Sequence, residues 1–143
     1  MLIRVFLIGL LSVVVTSCKP GLLFKNDHRI TILYPENHSS VKEPVKIEWK
    51  ARDFTPGTDG RFAVFIDRDP MPPGESIDHF PFAQRTQGIF ILDAYSLEVE
   101  LFTRRSGVDS AERDHHDVTV VIVDKRGRRL GETAGFTEFT VIR

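Results

Sequence analysis

From Val45 to Arg52 the chain alternates without a break. Val45, Ile47, Trp49 and Ala51 fall on one side, and Lys46, Glu48, Lys50 and Arg52 on the other. A period of two places one set on each face of a pleated strand, so this stretch predicts a strand with one wet face and excludes an amphipathic helix. Leu97, Val99 and Leu101 alternate with Glu98 and Glu100 in the same way. The runs 61–67 (RFAVFID) and 117–124 (DVTVVIVD) are more continuously apolar, as central strands are. Residues 30–34, 88–92 and 137–142 complete a set of seven predicted strands. Turn-forming clusters lie between them, at 35–37, 55–60, 93–96 and 124–127. No stretch carries a long helical period, and no repeat of 20–50 residues is present. Short strands spaced in this way predict an all-β, seven-stranded antiparallel sandwich.

The first residues read as an address. Arg4 and the amino terminus give a positive start, Val5–Val15 is an apolar run, and Thr16 and Ser17 are small. That is the form of a secretory leader, and the run is well short of the ~20 residues needed to span a bilayer. Val15-Thr16-Ser17-Cys18 resembles the bacterial lipobox, a branched apolar residue and two small ones before cysteine. The resemblance implies a lipid on the Cys18 thiol and cleavage before Cys18. It also implies a chain held on a membrane of the bacterial cell envelope, with its domain outside the cytoplasm. Lys19, rather than Asp, follows the cysteine, which in a two-membrane bacterium resembles the pattern sent to the outer membrane. The expected organisation is a leader over 1–17, a lipidated tether over 18–28 and one folded domain over 29–143. Cys18 is the only cysteine, so no internal disulfide and no cysteine-based metal site is open to the chain.

The segments Ile32–Pro35, Pro44–Trp49, Phe62–Asp67 and Val118–Gly127, with Trp49 on the second strand, resemble the immunoglobulin-like or fibronectin-III-like domains of bacterial envelope lipoproteins. The resemblance spans 29–143 and implies a fold rather than an activity, because such sandwiches carry unrelated functions.

In that fold the 35–44, 68–87 and 103–116 connections share one end. The other end holds the 53–60, 93–96 and 125–136 connections together with the tether. The long 68–87 and 103–116 connections are the expected binding elements, since loops of that length are often functional. Met71, Phe80 and Phe82 offer apolar contacts, and Arg104 and Arg105 add charge. His38, His79, His115 and His116 fall toward the same end, near several aspartates. Of these, His79, His115 and His116 are the candidate metal ligands, although their spacing matches no compact site and the adjacent pair should face opposite ways. Asp67, Asp69 and Asp78 are an alternative calcium set, lacking the spaced ligands of an EF-hand loop. At the tether end Lys125, Arg126, Arg128 and Arg129 form a basic hairpin. Such residues can each gain about 1 kcal/mol beside anionic headgroups, although many charged hairpin tips only face solvent.

Nothing in the chain announces catalysis. There is no GxSxG, HExxH, GxxxxGK[ST] or GxGxxG. Nineteen Lys and Arg against twenty Asp and Glu give no basic field for nucleic acid. The sequence therefore predicts a non-catalytic envelope lipoprotein without a cofactor. Its loops would engage an envelope protein or polymer; a metal-binding lipoprotein and a structural accessory domain are the alternatives.

Overall fold

A computed structural model describes residues 29–85, 87–101 and 115–142 of the chain. Cys18 and the tether, and Arg104 and Arg105, lie outside the described residues. Among those residues the strands are β1 (Ile30–Tyr34), β2 (Ser39–Lys42), β3 (Val45–Ala51), β4 (Arg61–Ile66), β5 (Ile89–Leu92), β6 (Ser96–Val99), β7 (His115–Val123) and β8 (Arg129–Ile142). They form two sheets, β1-β3-β6 and β2-β8-β7-β4-β5. This is an all-β sandwich of immunoglobulin-like type. The strand after β4 joins β4 in the larger sheet instead of joining the smaller one.

The alternation in β3 does what its period requires. Val45, Ile47 and Trp49 are buried, and their neighbours face water. Their inner face meets Phe62, Val64 and Ile66 of β4 and Val118, Val120 and Ile122 of β7. Phe62 is the aromatic centre of this core. Its ring lies 5.5 Å from Trp49, 5.0 Å from Phe54 and 5.3 Å from Tyr95, all at steep angles that suit ring quadrupoles.

Three features depart from the sequence expectation. The 35–44 connection contains a strand, β2, which pairs parallel with β8, so the sandwich has eight described strands and is not purely antiparallel. Val41 is the single apolar residue of β2, too little for a recognisable period. Its anchoring comes from outside it: His38 donates its N–H to the Glu138 carbonyl, Glu138 N–H donates to Asn37 Oδ1, and Thr137 Oγ1 donates to the Pro35 carbonyl. Strand β8 also starts at Arg129, well before Thr137. Charged residues and glycines in its first half hid the strand.

The third departure is the largest. The 68–87 connection is not a loop standing at one end. It leaves β4 at Ile66, climbs the outer face of the larger sheet to the β7–β8 hairpin, and returns to β5. On the way up Gly74 N–H donates to the Arg129 carbonyl, Arg129 N–H donates to the Glu75 carbonyl, and Ile77 N–H donates to the Gly127 carbonyl. This strap buries a second core of Ala63, Phe65, Met71, Ile89, Val121 and Val123, with Ile77 and Phe80 packed against it. Strands β4 and β7 are thus covered on both faces, which is why their sequences run apolar instead of alternating. The return ends in a close approach at Gly88. A Cβ there would lie 2.7 Å from the Ile66 carbonyl oxygen, and its φ of +70° is in the region that favours glycine.

Candidate functional site

Three groups of side chains stand out once the strap is in place. The first is on the strap's return. Ser76 Oγ accepts from Asp78 N–H and opens a one-turn 3-10 helix over Ile77–His79; a four-residue helix, Phe82–Arg85, follows. Arg85 pairs with Asp78 and lies over the Phe82 ring at 5.6 Å. Phe82 is 74% exposed, the most exposed of the large apolar side chains described.

The sequence grouped Met71, Phe80 and Phe82 as one apolar surface, and the structure divides them. Met71 is fully buried and its carbonyl accepts a hydrogen bond from Arg129 Nη1 at 2.7 Å, so it offers no surface. Phe80 is half-buried, its ring tilted against Phe65 at 5.9 Å between centroids, with the Arg68 guanidinium 5.8 Å from its own centroid. Only Phe82 faces solvent, and it does so with Arg85 and Asp78 beside it.

The second group is at the end opposite Arg29 and the start of β1. Register aligns Glu138 of β8 directly with Asp117 of β7, and Asp67 adjoins Asp117 through a 2.9 Å backbone bond. Asp67 has φ of +53° and turns its carboxylate in two directions: Oδ2 meets His116 Nδ1 at 2.8 Å, and Oδ1 accepts from Asp117 N–H. His116 is buried against Phe139, while His115 faces out, its Nε2 3.9 Å from Glu138 Oε2. His38 Nδ1 is 3.6 Å from the same oxygen.

The adjacent histidines therefore do face opposite ways, and His79 sits apart on the strap beside Phe80. Asp78 is likewise drawn to Arg85 and away from Asp67 and Asp69. Among the described residues, no three His, Cys, Asp or Glu side chains are placed to hold a metal ion. Sequence reading missed Glu138 as a member of this end; the signal was its register with Asp117, which needs the start of β8 to be known.

Burial first, then the neighbouring Asp67, Asp69 and Glu138, push the Asp117 carboxyl above the usual carboxylate range. A carboxyl raised in the folded state favours folding when protonated. That stability is fully present below its unfolded value and is lost as pH rises through the folded value. Asp117→Asn removes the charge that is unfavourable at neutral pH. A like-charge cross-strand pair costs about 0.2–1 kcal/mol, so the variant should melt about 1–5 °C higher at pH 7. Thermal melts at stepped pH should show the gain shrinking as acid protonates the wild-type carboxyl. An unchanged gain at low pH would mean that charge is not its source.

The third group is the β7–β8 hairpin. Asp124 accepts from the N–H groups of Arg126 and Arg128 at 2.8 and 2.9 Å, and the Arg128 N–H is the chief reason its carboxyl lies below the usual range. Lys125, Arg126 and Arg128 line an open depression with Asp59 and Asp124. Arg129, expected in the same basic cluster, is instead buried as the strap's clamp, and burial lowers its pKa.

No protein-family model matches the chain, and no curated protein matches it. Among solved structures, the fibronectin(III)-like modules of Clostridium thermocellum CbhA are similar at 16% identity and a TM-score of 0.40. The alignment covers 78% of this chain and 94% of that one. The fold assignment rests on the strand order and core described above.

Proposed function

We propose that this chain is a lipid-anchored protein of the bacterial cell envelope, and that its sandwich is a non-catalytic binding or assembly module. The observation that carries the reading is the pairing of Val15-Thr16-Ser17-Cys18, placed directly after an apolar leader, with an all-β domain that begins eleven residues beyond the cysteine. A tether of that length reaches at most ~40 Å, so the domain works at the membrane that holds it.

The strap changes which surface does the binding. Two of its three apolar candidates serve the fold, and Phe82, with Arg85 and Asp78, remains as the contact for an envelope protein. An exposed aromatic ring beside an arginine is the composition that interface centres favour.

Photo-crosslinking from position 82 in living cells, followed by mass spectrometry, identifies the partner, and affinity capture of that partner by chains without the crosslinker tests the contact. Phe82→Ser should leave stability within about 0.5 kcal/mol, as exposed substitutions do. It should also lower capture of the crosslinked partner about tenfold, a loss typical of an aromatic anchor. Capture that is unchanged in Phe82→Ser, in a folded chain, would leave the domain as a structural accessory.

A further inference from the structure

Building on the lipid-anchor reading, we infer that the β7–β8 hairpin is a docking surface for anionic lipid headgroups, holding the domain tip-down on the membrane to which Cys18 tethers it. The tether enters at the right end. The Arg29 carbonyl accepts from Arg52 N–H at the start of the 52–60 connection. That connection closes at Gly60 against the Val123 carbonyl, where the hairpin begins. The hairpin, the 52–60 connection and the tether's point of entry thus share one end of the sandwich.

The charges at that end are arranged for an external anion. Both carboxylates of the depression are engaged by backbone: Asp124 by the Arg126 and Arg128 N–H groups, and Asp59 by the Thr55 N–H at 2.7 Å. Lys125, Arg126 and Arg128 are all exposed. Nearby, Arg61 is matched by Asp93. The three hairpin cations are thus exposed and outnumber the two carboxylates beside them.

Among the described residues the opposite end carries more acid than base: Glu36, Glu43, Asp67, Asp69, Asp117 and Glu138 against Lys42, Lys46 and Arg68. A nine-residue strand such as β7 spans about 30 Å, while screening at physiological salt acts over ~8 Å. With the tip down, an anionic surface meets three exposed cations against the two carboxylates of the depression, Asp59 and Asp124. With the other end down, the surface meets an excess of carboxylates among the described residues and is repelled. Attraction and repulsion select the same orientation.

The test uses the full lipidated chain in vesicles of phosphatidylcholine, alone or mixed with phosphatidylglycerol. A fluorophore is placed on a single introduced cysteine, either Thr58→Cys at the tether end or Ser40→Cys at the other, and is read against a headgroup quencher. In anionic vesicles, quenching at 58 should exceed that at 40 by about twofold or more. The combined Lys125→Gln, Arg126→Gln and Arg128→Gln variant should erase the difference, as should raised salt, since each removed charge weakens the contact by about fivefold. The emission of buried Trp49 reports whether each variant is folded. Equal quenching at the two positions in anionic vesicles, from a chain that floats with them, overturns the orientation and leaves the anchor standing. A difference that survives the triple substitution also overturns it. A chain that floats with neither vesicle overturns the anchor reading and this proposal together.

Discussion

Met71→Ala is expected to destabilise the domain by about 2–4 kcal/mol, although Met71 stands in a stretch of prolines and glycine that resembles a solvent loop. The side chain has no solvent exposure and packs in the second core, beneath the strap and on Phe65, Val121 and Val123. Truncation leaves a cavity there, and the strap cannot collapse into it freely. Its backbone is tied to Arg129 on both sides, and the Arg129 side chain holds the Met71 carbonyl. Met71→Leu keeps the volume and should cost less than about 1.5 kcal/mol. Urea titrations of the two variants decide the matter. A midpoint that falls for Ala and barely moves for Leu, with an unchanged slope, places Met71 in a packed interior. If Ala costs no more than a surface change, the strap is not docked, and Met71 returns to the solvent-facing role its sequence surroundings suggest.

How much of this fold was legible follows from which face each residue serves. Val45–Ala51 announced itself because one face is wet, and the period of two survives in the residues. Strands β4 and β7 were found as apolar runs, but the reason they are apolar on both sides was not visible. The cover comes from residues 68–80, whose own sequence of Asp, Pro and Gly has no period. The first half of β8 and all of β2 were missed for a related reason. Their pairing is fixed by backbone and by neighbours such as Asn37 and Thr137, not by their own apolar content. Local pattern reports burial of side chains and is silent about backbone partnership.

The candidate sites divide along the same line. The opposed facing of His115 and His116 was readable, because it depends only on strand geometry. The separation of Phe82 from Phe80 and Met71 was not, because one strap presents some side chains to the sheet and another to water. Arg129 shows the limit most plainly. In sequence it belongs with Arg128 and the basic hairpin; in space it is buried, its Nη1 donating to a carbonyl 58 residues away. The hairpin then retains three exposed cations, which is the charge the proposed headgroup contact uses.

Cys18→Ala is expected to abolish incorporation of labelled fatty acid and to move the chain from the detergent phase to the aqueous phase by a factor of about one hundred or more. Acyl chains contribute about 0.8 kcal/mol for each buried CH₂, and two or more of them are needed for stable anchoring. The variant has no other cysteine to carry a lipid. Partition alone is an incomplete readout, because a variant that keeps its apolar leader can remain with membranes through Val5–Val15. The label separates the cases, since a retained leader carries no thiol. The intact mass of the wild-type chain gives the second check: cleavage before Cys18 with added acyl mass is the expected product. A wild-type chain that takes up no label would remove the lipid anchor, and with it the reason to expect the basic hairpin at a membrane surface. Labelled wild type beside unlabelled Cys18→Ala would make the tether a fixed point, from which the reach of Phe82 toward any envelope partner is set by eleven residues and one sandwich.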